Sequence, residues 1–242
     1  MNYFESLYKT PLEKEAFLFF ADISGYTQYV KIHSRTWSHG QFIISELLNA
    51  VIEELNEPLK IAKLEGDAIF FYLLQDININ TEFIKKKLML LFESFKQKKQ
   101  NLHSVTMCSC PCCSSIQTLK LKLIVHSGKI LTYDIKGYQE VSGLDVITLH
   151  RLSKNKVNQK EYLLLTEQAF SKILFEGEIT FVTGKEKYDE IGEIKTYVHF
   201  PNSEGELQEK KTISFIFKFI FEVKMIFITF IIRIKSYFKK KR

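Results

Sequence analysis

Phe19 to Thr27 reads FFADISGYT, and the rest of this 242-residue chain is arranged around it. The apolar run from Ala16 to Ala21 forms a strand that delivers Asp22 to its end, and Ser24-Gly25 turns the backbone into a helix starting near Tyr26. A carboxylate is thereby set beside free backbone N–H groups at a helix start. Such donors suit a phosphate, and the carboxylate suits the metal that accompanies polyphosphate. The plainer alternative is a buried strand ending in an N-cap and a turn.

Downstream, Ser38 is expected to cap a second helix whose Ile44, Leu47, Leu48, Val51 and Leu55 share one face, with Pro58 ending it. Leu59–Leu64 and Ala68–Leu74 read as a hairpin whose turn, Glu65-Gly66-Asp67, presents a second aspartate. A helix over Glu82–Lys99 points Ile84, Leu88, Leu91, Phe92 and Phe95 inward and its lysines outward. Leu119–Val125 alternates, with Lys120 and Lys122 on the opposite face, and is expected to pair antiparallel with a strand near Ile130–Tyr133. Gly143–Asn155 reads as a helix, Glu161–Thr166 as a strand, Glu167–Leu174 as a helix, and Ile179–Val182 and Lys195–Phe200 as closing strands. Helices alternating with hairpins indicate an α+β chain, a mixed sheet with helices packed on it.

Forty-five per cent hydrophobic residues suffice for one substantial core. The net charge of +6 is carried largely by the runs Lys85-Lys86-Lys87, Lys96 to Lys99 and Lys239 to Arg242 rather than by a continuous basic face with interleaved aromatics, which argues against a nucleic-acid partner. No secretory signal is visible, so a cytoplasmic location and reduced cysteines are expected.

Five stretches together carry a resemblance: FADISGYT, KLEGDAIFF, LKLIVHSGKI, VSGLDVITLHRL and GEIKTYVHF, in that order between Ala16 and Phe200. The chain resembles the catalytic domain of class III adenylate/guanylate cyclases. The resemblance implies a ferredoxin-like sandwich with a mainly antiparallel sheet over residues 15–200, after a lead-in at 1–14. It implies that Asp22, Asp67 and the Ile23 carbonyl hold Mg2+ or Mn2+, with the N–H groups of Gly25, Tyr26 and Thr27 near the phosphates. Lys63 matches the lysine that reads adenine, which agrees with its chemistry, because adenine N1 accepts and an ammonium only donates. Glu140 falls where an acidic residue takes the adenine amino group. Arg151 and Lys195 match residues that stabilise charge on the α-phosphate and the terminal phosphates. The implied reaction converts ATP to cyclic AMP and pyrophosphate in a site shared by a homodimer. Ile147 stands where the family has an asparagine that orients the ribose. The rival to an active enzyme is therefore a degenerate cyclase fold that senses nucleotide or metal.

All four cysteines fall in CSCPCC, within a Cys-rich insert at 103–115. Cys108, Cys110 and Cys113 with His103, or with a group from another chain, are expected to hold Zn2+; redox-active thiols and an inert loop are the alternatives. A zinc-stabilised membrane scaffold indifferent to nucleotide is the third functional class. After a polar linker at 201–211, residues 212–242 are rich in Phe and Ile but interrupted by Lys218, Glu222 and Lys224. A span needs about 20 apolar residues, so an amphipathic helix with a basic end, lying peripherally on the anionic inner membrane face, is expected; a partner-binding helix and a single span are the alternatives.

Overall fold

The computed structural model describes residues 13–32, 37–75, 80–106, 108, 110–175 and 179–201, together with 220 and 223. Nearly all of the expected lead-in, linker and tail lies outside the described residues. In chain order the elements are β1 (Lys14–Ser24), α1 (Tyr26–Ile32), α2 (Trp37–Ile52), β2 (Lys60–Glu65), β3 (Ala68–Leu74) and α3 (Thr81–Val105). There follow the short α4 (Pro111–Ser114), a 3-10 turn (Ile116–Thr118), β4 (Lys120–Ile135), β5 (Tyr138–Ser142), α5 (Leu144–Leu152), β6 (Tyr162–Thr166), α6 (Glu167–Ile173), β7 (Val182–Tyr188) and β8 (Gly192–His199).

Two compact units divide the described residues. One holds the chain up to Asp22, Leu55–Leu88 and Lys122–Pro201; the other holds Ile23–Glu54 and Met89–Leu121. The first unit is built on the sheet, whose strand order is β2-β3-β1-β4-β6-β8-β7, with β5 paired to β4. Its middle strands are apolar on both faces, as strands covered on both sides must be: six consecutive residues of β1 and all five of β6 are buried. Ala16, Leu18, Phe20, Phe70, Ile124, Leu164 and Val198 form one core with Val146, Leu149 and Leu152 of α5. The β4–β6 pair is parallel, whereas the pairs β1–β3, β2–β3, β4–β5, β6–β8 and β7–β8 are antiparallel. The result is the mixed, mainly antiparallel α+β architecture expected.

The second unit is helical. Ile43, Ile44, Leu47, Ala50 and Val51 form the buried stripe of α2, and Leu91, Phe92, Phe95 and Leu102 that of α3. Lys98 pairs with Glu46 at 3.1 Å and Ser94 donates to Glu54 at 2.8 Å. Lys99 does not face outward as its run suggests. It is buried and donates to the Leu119 carbonyl at 3.2 Å, a bond to backbone that the charge pattern of a helix does not announce.

Three expectations about the sheet need correction. Leu119–Val125 and Ile130–Tyr133 are not an antiparallel pair but parts of one 16-residue strand, β4. Ser127-Gly128 is no turn; Gly128 is there because a Cβ would run into the Asp145 carboxyl. That carboxyl accepts from the Lys129 N–H at 2.6 Å and meets His126 Nε2 at 2.9 Å, while His126 Nδ1 bonds Thr166 Oγ1 at 2.9 Å. The hydrogen bond from His126, first, and that from Lys129 hold Asp145 below the usual carboxylate range. His126 is thus a satisfied core histidine. Second, the partner of β4 is β5, which the sequence leaves as a loop; Lys136 and Gly137, both at positive φ, make the two-residue turn between them. Third, the strand before β8 is Val182–Tyr188 rather than Ile179–Val182. Only Glu186 of this edge strand is buried, so no apolar alternation marks it.

Gly128→Ala is expected to break the Asp145 contacts and cost about 2–3 kcal/mol in a urea unfolding titration. Wild-type stability in this variant would refute the close approach.

Candidate functional site

Asp22 lies near the end of β1, opposite Ala68 in the antiparallel register with β3. This pairing brings the end of β1 beside the turn that precedes β3, and so sets Asp67 next to Asp22. The two carboxyl groups are close enough to act on one another, and Asp67 is pushed up to about 7. Burial is the main cause, followed by the negative charge of Asp22; its own backbone N–H and Lys122 oppose the shift. Two acidic groups therefore converge from separate strand ends, and Asp67 holds its proton to well above the usual carboxylate range.

Lys122 of β4 is the residue that sequence reasoning missed. Its Nζ sits 2.6 Å from Asp22 Oδ2, with both side chains largely buried, and also donates to the Ser153 carbonyl at 3.3 Å. Strand alternation puts Lys122 on the same face of β4 as the core residue Ile124, but nothing local says that β4 neighbours β1. The donor set itself, two carboxylates with one held near neutral pKa by burial and then by its neighbour, fits a hard divalent ion that would take the proton's place. Lys122 competes for the same oxygen.

The remaining expected residues are dispersed. Lys63 is exposed on β2, opposite Phe70, and Glu140 is half-buried on β5, opposite Tyr133. Arg151 is exposed on α5 and pairs with Glu190 at 3.1 Å; Lys195 is exposed on β8 and pairs with Glu167 at 2.7 Å. Among the described residues, Arg151 and Lys195 make no hydrogen bond or ion pair to Asp22 or Asp67. Ile23 is buried on β1, Gly25 turns the chain, and Tyr26 and Thr27 open α1 in the helical unit. His150, beside Arg151, packs edge-on against Phe20 and Phe70, each at 5.4 Å between ring centroids, and is a packing residue. Ile147 is 49% exposed on the outer face of α5.

A second cluster lies wholly in the helical unit. One ligand atom from each of His39, Cys108, Cys110 and Cys113 falls within 4.8 Å of every other, a group able to hold a metal ion. The histidine differs from the expectation. His103 is on the exposed face of the last turn of α3, whereas His39 is brought in from α2, 71 residues before Cys110.

Residues 44–162 match a family described as "Protein of unknown function (DUF2652)". The chain is 30% identical over 124 residues to the uncharacterized protein Rv2561/Rv2562 of Mycobacterium tuberculosis, a match covering 51% of this chain and 57% of that relative. It thus spans little more than half the length of the curated relative. Among solved structures it is similar to the guanylyl cyclase Cya2 (TM-score 0.62, 8% identity, 78% of this chain and 93% of that one). It is similar also to the adenylyl cyclase CyaB from P. aeruginosa (TM-score 0.53, 13% identity, 81% and 98%). A third is the dimeric guanylyl cyclase domain of the RhoGC fusion protein from Blastocladiella emersonii (TM-score 0.51, 17% identity, 78% and 97%). At these identities the likeness establishes the fold: the chain has the fold of class III adenylate/guanylate cyclase catalytic domains.

The raised Asp67 has a consequence for stability. Between pH 4 and 7 the unfolded carboxyl has ionised while the folded one keeps its proton, so its contribution is full below pH 4 and lost as pH rises through about 7. In chelator, wild-type protein is expected to lose about 1–2 kcal/mol over this window relative to Asp67→Asn, allowing for solvent screening. Parallel pH profiles in urea melts would rule out the coupled pair.

Proposed function

We propose that this chain is a class III-type nucleotide cyclase that converts ATP to cyclic AMP and pyrophosphate at a homodimer interface. The observation that carries it is the convergence of Asp22 and Asp67 at strand ends of a cyclase fold, with Asp67 held near neutral pKa. Mg2+ or Mn2+ held by these carboxylates and the Ile23 carbonyl would polarise the phosphates and activate the ribose 3'-oxygen, which attacks the α-phosphorus as pyrophosphate leaves. Gly25, Tyr26 and Thr27 offer backbone N–H groups to the phosphates. Lys63 donates to adenine N1, which favours ATP over GTP, and Glu140 accepts from the amino group.

Arg151 and Lys195 would act from the second subunit. Their present partners, Glu190 and Glu167, are exposed, and solvent-screened ion pairs hold only weakly, so a triphosphate displaces them readily. The first unit also has a face suited to a second copy. Ile61, Leu64, Tyr133, Ile135, Tyr138, Leu144 and Ile147 are exposed on β2, the β4–β5 hairpin and α5. β5 touches both β2 and α5, so these positions adjoin, and Lys63 and Glu140 lie on two of the same strands. Among the described residues no helix is long and apolar enough to cross a membrane. The Phe- and Ile-rich stretch at 212–242, with its basic end, supports peripheral attachment to an anionic surface.

The second reading, a nucleotide sensor without turnover, is favoured by Lys122, which already neutralises Asp22, and by Ile147, which offers the ribose no hydrogen bond.

Purified protein with ATP and Mn2+ is expected to yield cyclic AMP, falling at least ~100-fold in Asp22→Ala. Nucleotide binding without product would select the sensor; neither binding nor product would overturn both. Tyr138→Glu with Leu144→Glu is expected to convert a dimer into monomers in light scattering and to abolish turnover, and an unchanged dimer would remove this face as the interface.

A further inference from the structure

The helical unit contains a group that the cyclase reading does not use. We propose that His39, Cys108, Cys110 and Cys113 form a structural zinc centre that clamps α2 to the segment leading into β4. It is independent of whether Asp22 and Asp67 support turnover.

The geometry is that of a site gathered by the fold rather than by chance. Cys110 Sγ lies 3.4 Å from Cys113 Sγ and 3.6 Å from His39 Nδ1, and Cys113 Sγ lies 3.8 Å from the same nitrogen. A tetrahedral ion with bonds of about 2.3 Å to sulfur and 2.0–2.1 Å to nitrogen has ligand-to-ligand edges of about 3.5–3.8 Å. These three separations are close to those edges, and Cys108 Sγ lies within 4.8 Å of each of the other three atoms. They are far too long for a disulfide, whose sulfurs are about 2.05 Å apart, and all four cysteines are free thiols.

The surroundings sort the ligands from the bystanders. Cys112 is fully buried and turned the other way, toward Gly40 and Tyr29; a Cβ on Gly40 would stand 3.4 Å from Cys112 Sγ and 3.5 Å from a Tyr29 ring carbon. Gly40 therefore lets α2 come close to α4, and its neighbour His39 reaches the sulfurs from there. The Cys110 backbone N–H is directed at Cys108 Sγ, 3.4 Å away, the outer support that thiolate ligands commonly receive. Pro111 opens α4 directly after Cys110, so the chain wraps from Cys110 to Cys113 in a single turn. Three soft sulfurs and one imidazole select zinc over the hard ions suited to a carboxylate pair.

The test uses the full-length chain. Protein purified under reducing conditions is expected to carry one zinc per chain by elemental analysis. Replacing zinc with Co2+ is expected to produce thiolate-to-cobalt charge-transfer absorption and the intense visible bands of a tetrahedral site. His39→Ala, Cys110→Ser and Cys113→Ser should each lower Co2+ affinity at least ~10-fold, His39→Cys should restore it, and Cys112→Ser and His103→Ala should leave stoichiometry and spectrum as in the wild type. Stripping the metal from wild-type protein should speed amide exchange across α1, α2 and α4 at least ~10-fold. Metal-free protein with a Cys110–Cys113 disulfide, an unchanged spectrum in His39→Ala, or loss of metal in His103→Ala would each overturn the assignment. The cobalt spectrum of the wild-type chain decides the point even if a variant fails to fold.

Discussion

The repulsion between Asp22 and Asp67 is the constraint on which the first unit is organised. The β1–β3 register and the hairpin turn set the two carboxyls side by side, and both are only partly open to solvent. Three things can relieve such a pair: a proton, a fixed cation or a bound one. The protein supplies the first two itself, by holding Asp67 near neutral pKa and by bringing Lys122 to Asp22 from the next strand. On the proposed function, a divalent ion would be the third such partner, favoured as the proton leaves.

The proposed function would divide its chemistry between carboxylates gathered in one chain and cations that face outward. Lys63, Arg151 and Lys195 are all exposed, and two of the three are held by acidic side chains from their own subunit. On the proposed function a single chain would be a half-site. Exposed apolar side chains on the same elements, up to 74% exposed at Tyr138, are costly to leave in water. Burying them against a second copy would carry the cations to a neighbour's carboxylates, so association and site completion would be one event.

What was legible in the sequence was local. Asp22 and Asp67 could be read because each sits at a strand end beside a turn of a few residues, and the β2–β3 hairpin follows from alternation around Gly66. Lys122 and His39 could not be read as site residues, because each depends on which distant element lies beside it: β1 beside β4, α2 beside α4. β5 and β7 were missed or misplaced for another reason. They are short strands with few buried positions, paired through neighbours rather than through their own apolar pattern. Gly128 misled in the opposite sense, since a glycine that admits the Asp145 carboxyl looks in sequence like a turn.

The helical unit shows why a metal would be placed where it is. α1 has seven residues and α4 four, lengths at which a helix in water does not stand unaided because the cost of its first turn is not recovered. Packing supplies part of what is missing, through Ile23, Tyr29, Cys112, Ile116 and Leu119, and the buried Lys99 ties α3 to the Leu119 carbonyl. Yet His39 and Cys110 are 71 residues apart, and closing such a loop is an entropic cost that four weak polar contacts do not meet. A bond set with the strength of thiolate and imidazole ligation does meet it. The cluster therefore belongs to the folding energetics of its unit, leaving the carboxylate pair to the chemistry of the sheet.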